Sequence, residues 1–302
     1  MRTQKRFTPS LIERFQRDGR GTGTYADYIP WHRVSRSDPS SHGRSHLIIW
    51  RERQRELLSD VEWNCVNFAA MLPNVLDLVE QFPLQQEDAP LEISRWDIRK
   101  NSKHHPGTLA VAKSLGIRHP RLQGTDEDVL WTSSTDLLLV LETALGHKEL
   151  LAVSVKAESI QKLSKRAREL LLLEKIYWQM RGVTWLLITP SEFDPAIKRT
   201  LMRTAAWGLA PLVDKHNLEI ARKVAMAMPL HAYSDIVNHL TLLFGGQEFQ
   251  LLAQEALWQA IWFGLLPIDL RRGWRPSQPF KYISPSEFLA QNPLAARRSA
   301  CL

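Results

Sequence analysis

Apolar and polar residues alternate in the middle of the chain, in segments whose lengths are typical of β-strands. Residues 75–82 (VLDLVEQF) and 150–155 (LLAVSV) follow this pattern and are predicted strands. Residues 130–141 include a run of five apolar residues, which predicts a central strand covered on both faces. A predicted amphipathic helix at 158–181 leads to a fourth strand at 183–189. This β-α-β step requires a parallel, right-handed crossover.

Helical spacing of apolar residues marks the segments on either side of these strands. Residues 51–72 are a predicted helix, so this part of the chain follows the order helix, three strands, helix, strand. A short apolar segment at 265–270 and a basic, proline-containing tail lie near the end. With the helices before them they are typical of a winged-helix module, for which DNA binding and protein docking have equal weight. Those helices are predicted at 194–207, 217–227, 234–244 and 248–263.

These patterns predict an α/β protein in three parts. Residues 1–48 contain glycines and prolines that break any period, which indicates a basic N-terminal arm. Residues 49–190 are predicted to form the α/β domain, and residues 191–302 an all-helical, winged-helix-like domain. The length of 302 residues agrees with two domains of roughly 100–200 residues each.

Composition excludes several classes of protein. A hydrophobic share of 44% and a charged share of 24% exclude wholesale disorder. No segment approaches the ~18–20 apolar residues of a membrane-spanning helix, and the basic N-terminus lacks the apolar core of a secretory signal. We therefore expect a cytoplasmic protein without a membrane partner. The two cysteines, Cys65 and Cys301, are too few and too far apart for a disulfide framework or a zinc cluster.

The net charge of +7 is unevenly distributed along the chain. Residues 1–50 contribute +5 and residues 191–302 contribute +3, which leaves −1 for the middle. Two basic ends fit a nucleic-acid partner, although a merely soluble basic surface explains the total equally well. Near the C-terminus, Arg271, Arg272, Arg275 and Lys281 are candidate DNA-phosphate contacts, with a solvated face as the equal alternative.

Two neighbouring strands contain the residues with the clearest chemistry. Asp136 lies near the start of the strand at 130–141, and Lys156 follows Ser154 and Val155 at the end of the next strand. An aspartate and a lysine on apolar strands are costly to bury unless they pair or hold a cation. The same arrangement occurs in PD-(D/E)-x-K nucleases, where carboxylates hold Mg²⁺ and the lysine orients the attacking water. The competing interpretation is a strand-start aspartate and a solvated lysine.

Glu62 strengthens the nuclease hypothesis. It interrupts the apolar stripe of the helix predicted at 51–72. A single glutamate on a helix is usually solvated, yet three residues from three successive elements can converge on one site. Histidines at 42, 46, 104, 105 and 119 are weaker metal candidates, because no ordered set of ligands accompanies them.

Several sequence blocks resemble the TnsA family, the endonuclease subunits of heteromeric cut-and-paste transposons. The blocks keep their order and secondary-structure context from about residue 45 to residue 190, and the likeness extends more loosely to about residue 290. They are LLSDVEW at 57–63, VLDLVEQFPL at 75–84, STDLL at 134–138, VSVK at 153–156 and LEKIYW at 173–178.

The resemblance implies a restriction-endonuclease-like core followed by a winged-helix-like domain. It assigns catalytic roles to Glu62, Asp136 and Lys156, with Mg²⁺, or Mn²⁺ as a substitute, as the cofactor. Ser154, a further candidate catalytic residue, stands where the family often has Gln. Its side chain is shorter than that of Gln and would reach a metal only through water. The metal ligands implied are therefore Glu62, Asp136 and the backbone carbonyl of Val155.

The resemblance also implies a cellular role and partners. The chain would hydrolyse the 5′ strand at transposon ends in the bacterial cytoplasm, at the nucleoid when assembled on DNA. A TnsB-type transposase would cut and join the 3′ ends, and a TnsC-type AAA+ regulator would dock on the C-terminal domain. Two alternatives remain: a stand-alone restriction or repair nuclease, and a catalytically decayed DNA-bridging assembly subunit.

Overall fold

The computed structural model describes residues 7–35, 44–100, 103–122 and 129–302. Parts of the predicted basic arm, at 1–6 and 36–43, lie outside the described residues, and so does the metal candidate His42. The strands are β1 (His46–Trp50), β2 (Arg53–Leu57), β3 (Val75–Pro83), β4 (Ser134–Glu142), β5 (Lys148–Val155) and β6 (Thr184–Ile188). The helices are α1 (Pro9–Arg17), α2 (Asp60–Ala70), α3 (Thr108–Ser114), α4 (Lys165–Met180), α5 (Pro195–Gly208), α6 (Lys215–Ala227), α7 (Tyr233–Phe244), α8 (Gln250–Trp262) and α9 (Pro285–Ala290).

The chain divides into two compact units. The first consists of Met1–Trp63, Asn74–Thr189 and Ser299–Leu302, and the second of Asn64–Pro73 and Pro190–Arg298. The mixed α/β class predicted from the sequence is confirmed, because the first unit contains a four-stranded sheet and the second is built from helices.

The sheet of the first unit has the strand order β3-β4-β5-β6. β4 pairs antiparallel with both neighbours, and β5 pairs parallel with β6, as predicted for the step through α4. The apolar run of β4 from residue 137 to residue 141 is entirely buried. Tyr177 and Trp178 of α4 belong to the same hydrophobic core as Leu138 and Val140. The centre of the sheet is therefore a rigid support for residues at the strand ends.

The four predicted strands and the four helices predicted after residue 190 are confirmed as β3 to β6 and α5 to α8. The helix predicted at 158–181 begins later, because Ser164 caps it: its Oγ accepts a hydrogen bond from the Ala167 amide at 3.1 Å. At 265–270 the predicted short strand is absent, and Ile268 forms only an isolated bridge with Tyr282.

The helix predicted from residue 51 is wrong over its first third. Residues 46–57 form an antiparallel hairpin instead, and the helix begins at Asp60. Arg51 and Glu52 form the turn with φ of 50° and 64°, the left-handed conformation that a tight two-residue hairpin requires. Neither is the Gly or Asn that usually signals such a turn, so the sequence pattern did not show it.

The buried face of this hairpin is charged, which also hides it from hydrophobic periodicity. Arg53 of β2 donates to both oxygens of Glu80 on β3, at 2.7 and 2.6 Å, and both side chains are buried. Arg55, also buried, donates to the backbone carbonyls of Leu78 and Trp50. Arginine-to-carboxylate and arginine-to-carbonyl bonds thus attach β2 to β3 where apolar packing would be expected.

Helix α8 is the centre of the second unit. It contacts α5, α6 and α7, and its residues from 256 to 262 are all buried. The buried Gln259 amide accepts from the Val213 amide at 2.9 Å and donates to the Pro211 carbonyl at 3.0 Å. Aromatic rings pack around this helix: Trp207, Tyr233, Trp258, Trp274 and Phe280.

No helix within the described ranges is long and apolar enough to cross a membrane.

The buried Arg53–Glu80 pair yields a stability prediction. Glu80→Gln should lower the free energy of unfolding by about 3 kcal/mol or more, because it leaves a buried guanidinium without its counter-charge. Urea denaturation followed by tryptophan fluorescence measures the change. Glu169→Gln is the control, since the Glu169–Arg166 pair is partly exposed and its loss should cost less than about 1 kcal/mol. Equal losses in the two variants would show that the buried pair does not anchor the hairpin.

Candidate active site

The start of helix α2 places Glu62. Ser59 lies three residues earlier, and its Oγ accepts a hydrogen bond from the Glu62 amide at 3.2 Å. The Glu62 carboxylate accepts from the Ser59 hydroxyl at 3.1 Å and from the Leu58 amide at 2.9 Å. This is a variant of the capping box, in which a glutamate in the first turn reaches back to an unpaired amide. The local sequence Ser-x-x-Glu thus fixes the orientation of Glu62.

The antiparallel pairing of β4 and β5 brings Asp136 to Lys156. Leu137 of β4 lies opposite Val153 of β5, so the start of one strand meets the end of the other. Asp136 Oδ2 accepts a hydrogen bond from the Val155 amide at 2.6 Å and lies 3.6 Å from Lys156 Nζ. Lys156 Nζ also donates to the Val155 carbonyl at 2.9 Å. The predicted pairing of Asp136 with Lys156 is present in the structure.

Lys156 is positively charged in this environment. The Asp136 carboxylate raises the pKa of the Lys156 ammonium above its ordinary value, against the opposing effect of burial, with Glu174 and Glu62 adding to the rise. Its side chain remains 34% exposed. The side chain is therefore partly open to solvent, and the charges of three acidic side chains act on its ammonium.

Glu62 is buried, and its carboxyl group is harder to ionise than an exposed one. Burial, and then the negative charge of Asp136, raise the pKa of Glu62 to about 8. Gln81 of β3 also belongs to this cluster: its Nε2 donates to Glu62 Oε2 at 3.3 Å, and its Oε1 accepts from the Ser134 hydroxyl at 3.2 Å. Gln81 has a φ of 51°, a strained conformation for a residue within a strand.

Ser154 faces the hydrophobic core, where it bonds a second glutamate. Its Oγ donates to Glu174 Oε1 at 2.6 Å and accepts from Trp185 Nε1 at 2.8 Å. Thr135 donates to the same Glu174 oxygen at 2.7 Å. Burial, and then the charge of Asp136, raise the pKa of Glu174 to about 7. Ser154 is therefore buried, and its hydroxyl is engaged by Glu174 and Trp185.

Sequence analysis missed Glu174 and Gln81. Glu174 interrupts the apolar run of the helix at 165–180, which is the same signal that identified Glu62. Nothing in the sequence distinguishes Gln81 from an ordinary strand residue. Its place in the cluster depends on a left-handed backbone conformation that a glutamine does not predict. The side chains that meet here are Glu62, Gln81, Asp136, Ser154, Lys156 and Glu174.

The oxygen donors at this site fit a divalent cation. The carboxylates of Glu62 and Asp136 interact unfavourably with each other, and the Val155 carbonyl accepts a hydrogen bond from Lys156, which also contacts Asp136. Mg²⁺ usually binds through one or two carboxylates and keeps several waters, so this small donor set is sufficient. The part of the chain that the structure describes holds no cluster of three or more His, Cys, Asp or Glu arranged for a metal.

The other metal candidates from the sequence have separate roles. His46 Nε2 is 2.8 Å from Asp60 Oδ1, and the His119 ring bonds Thr108 and the Pro120 carbonyl. His105 pairs its backbone with Ala89. The candidate DNA contacts at 271, 272, 275 and 281 belong to the second unit.

Comparison with known proteins gives one informative match. The chain is 34% identical over 198 residues to the Transposon Tn7 transposition protein TnsA of Escherichia coli. The matched region covers 65% of this chain and 62% of that protein, which is less than two thirds of its length. No family model matches the chain.

The raised pKa of Glu62 predicts a pH-dependent stability for the metal-free protein. The pKa of Glu62 is about 8 in the folded protein, whereas the ordinary pKa of a glutamate is 4.5. Between pH 4.5 and about pH 8 the folded state therefore binds more protons than the unfolded state. The free energy of unfolding should therefore fall as pH rises through this window. Melting temperatures in EDTA should decrease from about pH 6 to about pH 8, and less steeply in Glu62→Gln. A Glu62→Gln profile identical to wild type would contradict the assignment.

Burial of Ser154 predicts that its loss affects stability and not metal binding. Ser154→Ala should lower the free energy of unfolding by about 1–3 kcal/mol, because Trp185 and Glu174 each lose a buried partner. The loss should be equal with and without Mg²⁺, as measured by urea denaturation. A much larger loss in Mg²⁺ would instead identify Ser154 as part of the metal site.

Proposed function

We propose that this chain, which is 34% identical over 198 residues to a TnsA protein, is a member of the TnsA family and the DNA endonuclease of a cut-and-paste transposon. It hydrolyses the 5′ strand at each transposon end. The proposal rests mainly on the cluster of Glu62, Asp136, Glu174 and Lys156, where the charges of three acidic groups act on one ammonium. Such a concentration of perturbed pKa values is a common property of active sites.

Lys156 holds the phosphate and the attacking water in this mechanism. Its raised pKa keeps the side chain protonated, so it donates hydrogen bonds and does not remove the proton of the water. A fixed ammonium at the reacting phosphate stabilises the additional negative charge of the transition state. Asp136 positions the ammonium through their 3.6 Å contact and the Val155 amide through the 2.6 Å hydrogen bond.

Mg²⁺, or Mn²⁺ in its place, is the proposed cofactor and would be held by Glu62, Asp136 and the Val155 carbonyl. When bound, it polarises the phosphate and lowers the pKa of a coordinated water. Glu62 is ready for this role, because Ser59 and the Leu58 amide fix its carboxylate before a cation arrives. Gln81 donates to the same carboxylate and holds it towards the site.

Ser154 does not weaken this proposal. A decayed site would be expected to lose the contacts around its acids, yet the Ser154 hydroxyl bonds Glu174 at 2.6 Å within the core. Glu174 in turn contributes its charge to Lys156. We assign Ser154 and Glu174 as positioning residues behind Asp136 and Lys156.

The finer assignments of fold and partners extend the same proposal. The order α2, β3, β4, β5, α4, β6 supports a restriction-endonuclease-like core, and the helices after residue 190 support a winged-helix-like domain. A TnsB-type transposase would process the 3′ ends, and a TnsC-type AAA+ regulator would dock on the C-terminal domain. The DNA contacts expected there are Arg271, Arg272, Arg275 and Lys281.

Strand-specific cleavage tests this function. Element-end DNA labelled on each strand is incubated in Mg²⁺ with the chain, the partner transposase and the regulator. Asp136→Ala and Lys156→Ala should each reduce 5′-strand cutting by about 100-fold or more, while 3′ joining persists. Glu169→Gln, on the exposed side of α4, should cut as wild type does.

Three outcomes would contradict the proposal. Persistent 5′ cutting in both variants would show that the site is elsewhere. Cutting by the chain without any partner would favour a stand-alone nuclease. No 5′ cutting by wild type, with transposition products unchanged in Asp136→Ala, would favour a catalytically decayed assembly subunit.

A further inference from the structure

Five arginines line one cavity in the second unit. The cavity has a volume of about 220 Å³, roughly seven times the ~30 Å³ that a water molecule occupies in the liquid, so a phosphate group can enter it. One wall is a face of α5 and the other is the loop from residue 271 to residue 275. None of its lining residues is acidic. The arginines are Arg199, Arg203, Arg271, Arg272 and Arg275.

The fold holds these two walls together with a backbone contact. Arg199 and Arg203 are four residues apart on α5 and therefore share a face of the helix. Thr200, between them, donates its hydroxyl to the Leu270 carbonyl at 2.7 Å, which ties the start of the loop to the helix. Gly273 allows the loop to turn there, with a φ of 76°. Two like charges at this helical spacing destabilise a helix slightly. The stability of α5 therefore does not explain why two arginines lie on this face.

The five arginines differ in whether they form an ion pair with a carboxylate. Arg271 pairs with Asp269 through two contacts, at 2.7 and 3.1 Å, and Lys281 contacts the same carboxylate at 3.2 Å. Arg275 reaches the Gln278 side-chain oxygen at 3.4 Å. In contrast, Arg199, Arg203 and Arg272 form no ion pair with any residue that the structure describes. All three are exposed.

We propose that this cavity binds a backbone phosphate of DNA through Arg199, Arg203 and Arg272. Arginine is suited to this role because its planar group donates paired hydrogen bonds to phosphate oxygens and stays charged. The inference rests on the proposed function for the choice of DNA over another polyanion. It also changes the set of contacts expected from the sequence, since Arg271 and Lys281 use their charge on Asp269.

The geometry favours DNA over an acidic protein. The cavity is small, and its lining has only Ala196 and Trp274 as apolar side chains beside five arginines, whereas the core of a protein interface is normally apolar and poor in charge. A phosphate diester carries one negative charge shared by two oxygens, which suits a cavity lined by several arginines. This contact positions the DNA without reading its sequence, so the affinity should be similar for unrelated duplexes.

Binding of a fluorescent duplex, measured by anisotropy at several salt concentrations, tests the inference. All proteins carry Asp136→Ala and the buffer contains EDTA, so that cleavage does not interfere. Arg199→Ala/Arg203→Ala should weaken binding at least about tenfold and reduce the salt slope by about 2, because each lost phosphate contact removes about 0.9. The control Lys215→Ala/Lys223→Ala removes two exposed charges from α6 and should change the affinity much less.

The outcomes separate this inference from the proposed function. Unchanged affinity in the arginine variant, or an equal loss in both variants, would overturn the phosphate site while leaving cleavage to be judged by its own assay. Loss of partner recruitment with intact DNA binding would show a protein-docking surface and overturn it also. If DNA binding depends on the arginines but the wild-type chain cuts no DNA, the result would support the phosphate-binding site and contradict only the proposed endonuclease function.

Discussion

Two buried carboxyl groups, with the half-buried Asp136 and a single lysine beside them, place the strongest physical constraint on the first unit. Burial and the charge of Asp136 raise the pKa of Glu62 to about 8 and of Glu174 to about 7. Holding these groups together costs free energy relative to the unfolded chain. The arrangement gains stability only from the Lys156 charge and from hydrogen bonds within the core. A divalent cation and a phosphate would supply the missing counter-charges. An arrangement that lowers the stability of the free protein is therefore suited to a catalytic site.

The surrounding architecture offsets the free-energy cost of this arrangement. β4 is buried along its apolar run, and its antiparallel register with β5 brings Asp136 beside Lys156. A capping interaction at Ser59 orients Glu62 through contacts within its own helix start. The neighbouring hairpin is attached by buried ion pairs and carbonyl contacts, so the first unit tolerates much buried charge as long as each group has a partner.

The second unit has the opposite imbalance. Arg271 and Lys281 share the single negative charge of Asp269, while arginines on α5 and at the start of the 271–275 loop face a cavity with no acid in its walls. One unit thus presents oxygen donors and the other guanidinium groups. The DNA proposed as substrate, with its associated divalent cations, would satisfy both kinds of charge.

Hydrophobic periodicity in the sequence was sufficient for the strands of the sheet and for helices α5 to α8, because those elements bury apolar faces. The spacing of Asp136 and Lys156 was enough to predict their meeting across a hairpin. Two features were decided only by the tertiary structure. One is the hairpin at 46–57, whose buried face is formed by arginines, and the other is the position of Ser154 inside the core. The tertiary structure also recruited Gln81 through a strained backbone. These features depend on partners distant in sequence, and a pattern of polar residues does not reveal which of them will be buried together.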